Sequence, residues 1–202
     1  MIEVRRIAGA LGAEISGVDL SKPLSKADLG AVRKHWLEHL VIFFRDQALT
    51  PAQFMAFAGQ FGEPVEYPLV KGIEGFPKII EVRKLEHERA AFGAIWHTDT
   101  AYLPRPPMAS MLLALEVPPV GGDTLFANMY LAFESLSPGL RKLLETLKAV
   151  NSSTKADASK TREDRVKASG KERMEFSAEH PVVRTHPETG RKALYVNSGH
   201  TV

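Results

Sequence analysis

Trp96-His97-Thr98-Asp99 is the stretch on which the reading of this sequence turns. In a strand, residues two apart project from the same face. His97 and Asp99 would then present an imidazole and a carboxylate side by side. Such a pair is two-thirds of the 2-His-1-carboxylate facial triad that holds non-haem Fe(II). Spacing alone is a weak signal: seven His and seven Asp in 202 residues produce one such pair by chance in roughly one chain of four. On that ground alone, a hydrogen-bonded core or surface His is the better reading of His97. A rival pair, His186 and Glu188, has the same spacing but sits in a Pro-Gly turn, where side chains seldom face a packed pocket.

Working outward, Pro118-Pro119-Val120-Gly121-Gly122-Asp123-Thr124-Leu125-Phe126 reads as a tight turn opening a strand at Thr124. Further strands are expected at 79–82, 108–117, 181–184 and 193–196, the last two joined by a hairpin loop at 187–190. At the N-terminal end, strand-turn-strand reaches Leu20 and Val41-Ile42-Phe43-Phe44 is a buried strand. Between them, a cap at Ser25 starts a helix carrying Leu29, Val32, Trp36 and Leu40 on one stripe. Thr50-Pro51 starts a second helix, with Phe54, Phe57 and Phe61 as its apolar face. The span 131–150 reads as mostly helix, restarted at Ser137-Pro138. Helices flanking a run of strands give the class α+β with a β core.

Composition sets outer bounds. A chain of 202 residues with 44% hydrophobic and 25% charged residues is one globular domain able to bury a core. The absence of Cys excludes disulfides, thiolate zinc sites and Cys nucleophiles, so a metal would be held by His, Asp or Glu. A net charge of +2, with no basic face interleaved with aromatics, argues against a nucleic-acid partner. No apolar run approaches a membrane span and no signal peptide is visible, so a soluble, cytoplasmic protein with no membrane partner is expected. Residues 155–175 hold seven Lys/Arg and five Asp/Glu without an aromatic, which makes 151–175 a flexible charged insertion or a lid over the site.

Taken together and in order, these motifs resemble the taurine/2,4-D dioxygenase family (TauD/TfdA), the Fe(II)/2-oxoglutarate-dependent dioxygenases. Trp96-His97-Thr98-Asp99, Pro106-Pro107 and Gly121-Gly122-Asp123-Thr124 carry the likeness. Gly12-Ala13-Glu14-Ile15, Gly17-Val18-Asp19-Leu20, 54–62, 180–187 and Leu194-Tyr195-Val196-Asn197 extend it over nearly the whole chain. The resemblance implies a double-stranded β-helix (jelly roll) with flanking helices, of the clavaminate synthase-like kind. It implies Fe(2+) bound by His97 and Asp99, with Thr124 contacting 2-oxoglutarate. The implied reaction consumes O2 and hydroxylates a small organic substrate, an anionic one by analogy, releasing succinate and CO2.

The resemblance also implies a second iron-binding His and, beyond it, an Arg that pairs with 2-oxoglutarate. Neither stands at a matching position, so the domain, 1–202, is expected to lack the C-terminal part of the barrel. His200, at the end of the chain, is not expected to replace the ligand, because termini are seldom ordered enough to build a site. The segments around Glu66-Tyr67 and Gly93-Ala94-Ile95 lack the polar groups of the taurine branch, which argues against taurine itself. Tyr67 and Tyr102 are the candidate substrate-pocket residues, though either is more often a packing residue. The alternative is a truncated or degenerate, non-catalytic metal- or ligand-binding β-barrel. Barrel edges left open would favour association into a homo-oligomer.

Overall fold

The computed structural model describes residues 1–87, 92–155 and 175–202, so most of the insertion or lid expected at 151–175 lies outside the described residues. The described chain mixes helices and strands, as an α+β chain does. It falls into two compact units, Met1–Pro64 with Met111–Leu131, and Val65–Ser110 with Ala132–Val202.

The first unit is built on a three-stranded sheet. Strands β1 (Glu3–Arg6) and β2 (Ala13–Ser16) pair antiparallel, with Val4 opposite Ile15. Strand β3 (Ile42–Phe43) adds to β2 in parallel. A parallel neighbour needs a crossover, supplied by helix α1 (Lys26–His39). Ser25 caps α1 by accepting the Asp28 N–H. Val32 on α1 is fully buried, as are Ala13 and nearly all of Ile15 on β2. Helix α2 (Pro51–Gly59) opens on a full capping box between Thr50 and Gln53, with Pro51 in its first turn. Of its expected apolar face, Phe57 is buried and packs edge-on against Phe44 and Phe61, Phe54 is half-buried, and Phe61 falls beyond the end of the helix.

The second unit holds two antiparallel ladders. Strand β4 (Lys148–Ser152) pairs with β5 (Ser177–Pro181), and β6 (Val183–Thr185) with β7 (Lys192–Leu194) across the expected hairpin. The Val182 N–H donates to the Leu147 carbonyl and its own carbonyl accepts from Tyr195, tying the two ladders together. Helix α4 (Pro138–Leu144), capped by Ser137, precedes them, and before it helix α3 (Met129–Glu134) spans the boundary at Leu131. A buried cluster of Leu69, Val70 and Tyr102 gathers Tyr67, Ile80, Phe92, Leu103 and Phe176 around it.

Two expectations need correction. The helix expected to reach residue 150 ends at Leu144, and 148–152 is a strand, because its backbone groups are taken by β5. The strands expected at 79–82, 108–117 and 124–126 are not strands. No ladder pairs them among the described residues, and a strand exists only by pairing. Several of their apolar side chains stand in solvent, Leu112 being 75% and Leu115 87% exposed, while Ile80 packs against the buried cluster.

Candidate metal centre

The second unit contains His97 and Asp99, and the structure brings them together. They meet across a loop and turn rather than along a strand. His97 Nε2 lies 3.0 Å from Asp99 Oδ1. His97 Nδ1 lies 2.7 Å from the Ile95 carbonyl oxygen. A carbonyl can only accept, so Nδ1 carries the hydrogen and donates it. In the neutral ring, Nε2 is therefore a lone pair facing a carboxylate oxygen. Two acceptors so placed call for a positive centre, either a proton on the imidazole or a metal ion.

The spacing suits the ion. Donors held about 2.1 Å from one centre at adjacent octahedral positions lie about 3.0 Å apart. Asp99's other oxygen, Oδ2, accepts from the Ser110 hydroxyl, so the carboxylate is oriented from its far side. Electrostatics within the pair are mutual. The contact with Asp99 raises the His97 pKa above its ordinary 6.5, and burial opposes this. The contact with His97 lowers Asp99 below its ordinary 3.8, assisted by Ser110.

The backbone leaves room for this imidazole. At Gly199 a Cβ would stand 2.8 Å from His97 Cβ, closer than real Cβ atoms come, and a tight 3.0 Å from the Trp96 carbonyl oxygen. Gly93, at a φ of +72°, would place a Cβ 3.1 Å from His97 Cε1.

His200 is not frayed, against expectation. Its ring is buried, edge-on to Tyr102 at 5.0 Å and to His97 at 5.9 Å between centroids. The end of the chain is held there by backbone bonds. Gly199 N–H donates to the Trp96 carbonyl, Ser152 N–H to the His200 carbonyl, and Val202 N–H to the Val150 carbonyl. Burial lowers the His200 pKa, and its Nδ1 has no hydrogen-bond partner. It nevertheless completes no cluster of three ligating atoms with His97 and Asp99.

The other expected positions are also placed. Tyr102 is fully buried, and its hydroxyl donates to that of Tyr67 at 3.2 Å. Both belong to the buried cluster, and burial raises both phenol pKa values. Thr124 belongs to the other unit, where it is exposed in a stretch without ladder pairing. The rival His186 serves its turn: its Nδ1 accepts from the Glu188 and Thr189 backbone N–H groups. Among the described residues, one cluster of three metal-ligating side chains does occur, His35, Glu38 and His39 on α1. Sequence reasoning missed it, although the spacing i, i+3, i+4 puts all three on one helix face.

Comparison with known proteins agrees with the resemblance. The model for the family described as "Taurine catabolism dioxygenase TauD, TfdA family" matches residues 3–202. An alkylsulfatase of Acinetobacter baylyi is 36% identical over 96% of this chain and 62% of its own length. An alpha-ketoglutarate-dependent sulfate ester dioxygenase of Pseudomonas putida is 36% identical over 100% of this chain and 67% of its own. The crystal structure of a taurine dioxygenase from Burkholderia xenovorans superposes with a TM-score of 0.79 at 35% identity, covering 100% of this chain and 65% of that one. The chain thus spans just under two-thirds of the length of the first of these relatives. The match over nearly every residue is decisive: the chain belongs to the TauD/TfdA family.

Proposed function

We propose that the protein is an Fe(II)/2-oxoglutarate-dependent dioxygenase acting on a small anionic organic substrate, with a sulfate ester favoured. The observation that carries this reading is the convergence of His97 Nε2 and the Asp99 carboxylate at 3.0 Å, each oriented from behind by the Ile95 carbonyl and Ser110. His97 and Asp99 would hold the iron. When bound, iron with 2-oxoglutarate supplies the oxidising power, O2 being consumed and succinate and CO2 released. The chain's own part is positional. Ser110 and the Ile95 carbonyl fix the two ligands, and the hydrogen-bonded Tyr102–Tyr67 pair anchors the buried cluster of the same unit.

The jelly roll, the contact of Thr124 with 2-oxoglutarate, and Tyr67 and Tyr102 as pocket residues belong to this proposal. The substrate class rests on the likeness to the Acinetobacter alkylsulfatase and the Pseudomonas sulfate ester dioxygenase. Among the described residues, no helix is long and apolar enough to cross a membrane. A cytoplasmic location fits the small-molecule chemistry and is part of the same reading.

The test is succinate production dependent on Fe(II) and an alkyl sulfate, by a form of the protein spanning the relatives' full length. His97→Ala is expected to reduce it to background, and turnover surviving that change would sink the assignment. A second reading, a non-catalytic metal- or ligand-binding relative, is favoured by one observation: no third donor joins His97 and Asp99 among the described residues. Under that reading the longer form binds metal and 2-oxoglutarate but releases no succinate.

A further inference from the structure

We infer that the last turn of α1 is a second metal site, made by His35, Glu38 and His39, for a divalent ion of the zinc, cobalt or nickel class. One ligating atom from each of the three lies within 4.8 Å of those of the other two. His35 Nδ1 stands 3.8 Å from one Glu38 oxygen, and His39 Nε2 stands 3.9 Å from the other. The two imidazoles stack with an interplanar angle of 11° at 6.0 Å, so their planes are nearly parallel on the same helix face. Small rotations about side-chain bonds close such gaps onto one centre. Two imidazoles and a carboxylate are the donor set of borderline divalent ions, with water filling the open positions.

Three further observations point to a ligand rather than to an idle cluster. His35 Nδ1 is buried and has no hydrogen-bond partner, an arrangement that is costly unless something binds it. The cluster occupies the C-terminal turn of α1, the negative end of the helix dipole, where a cation is favoured. That turn is also held in place. The His39 carbonyl accepts from the N–H groups of Gly12 and Val41, and the Trp36 carbonyl accepts from Leu40 N–H. The ion would thus bind a prepared surface, with Glu38 exposed and the two imidazoles partly sheltered. Binding would fasten the end of α1 where it meets β2.

The test is a calorimetric titration of the chain with Zn(II), with Co(II) absorption as a second readout. It is made in a His97→Ala, Asp99→Ala background, so its outcome is independent of the proposed iron ligands. One equivalent is expected to bind. Altering even an outer-shell partner of a metal ligand costs about 10–100-fold in affinity, so His35→Ala and Glu38→Gln should each weaken binding by at least ~10-fold. Glu38 is exposed, so Glu38→Gln should leave the helical circular dichroism unchanged. In the same His97→Ala, Asp99→Ala background, Glu38→Gln should likewise remove the zinc-induced rise in melting temperature. Failure of the double-alanine chain to bind zinc while folded would overturn the inference. So would affinity unchanged by both His35→Ala and Glu38→Gln.

Discussion

At Gly199 the hydrogen atom that serves as side chain sits where a methyl group would press on His97 Cβ at 2.8 Å and on the Trp96 carbonyl oxygen at 3.0 Å. Neither neighbour is a flexible side-chain end. Gly199→Ala should therefore move the His97 backbone or the end of the chain, costing about 1–3 kcal/mol as overpacking does. The check is a urea titration, in which the midpoint falls and the slope stays the same. A midpoint equal to the parent's would show that the 199–202 segment is not held against His97. The His97–Asp99 contact was legible because two ligand types stood two residues apart. The route by which they meet was not, since spacing cannot distinguish a turn from a strand. His35, Glu38 and His39 went unread because a charged helix face is usually a solvated one. Their convergence depends on where side chains point and on an Nδ1 left without a partner, neither of which spacing shows.

Elements set by local chemistry were legible, and those set by distant partners were not. Helix α2 starts where Thr50 and Gln53 satisfy each other's backbone N–H groups, a device confined to four residues. Thr50→Ala should cost about 1 kcal/mol, read as a lower melting midpoint with the fold retained. No change would mean that packing of Phe57, rather than the cap, holds the helix start. Strand β4 shows the opposite case. The stripe of Leu140, Leu143, Leu144 and Leu147 continues the helical spacing almost to Lys148, yet 148–152 pairs with Ser177–Pro181. Helical period is a local signal, whereas a ladder partner more than twenty residues away leaves no mark on spacing. The same reasoning explains 108–117, which has strand composition but no ladder among the described residues.

For the molecule as a whole, the main feature is the stretch 111–126, which pairs with no strand among the described residues. Leu112, Leu115, Val120 and Leu125 are each at least 71% exposed, more apolar surface than isolated surface residues usually present. The chain should self-associate through this stretch, and Leu115→Asp with Val120→Lys should shift it toward monomer in sedimentation velocity. Equal association before and after would place the contact elsewhere. The central claim is that His97 and Asp99 are metal ligands. Its most direct measurement is an anaerobic Fe(II) titration of the 202-residue chain carrying His35→Ala and Glu38→Gln, which silences the α1 cluster. Saturable binding of one ion is expected, lost on adding Asp99→Ala or His97→Ala while the circular dichroism stays the same. Fe(II) binding that persists unchanged in both variants, or that never occurs in the folded chain, would contradict the account.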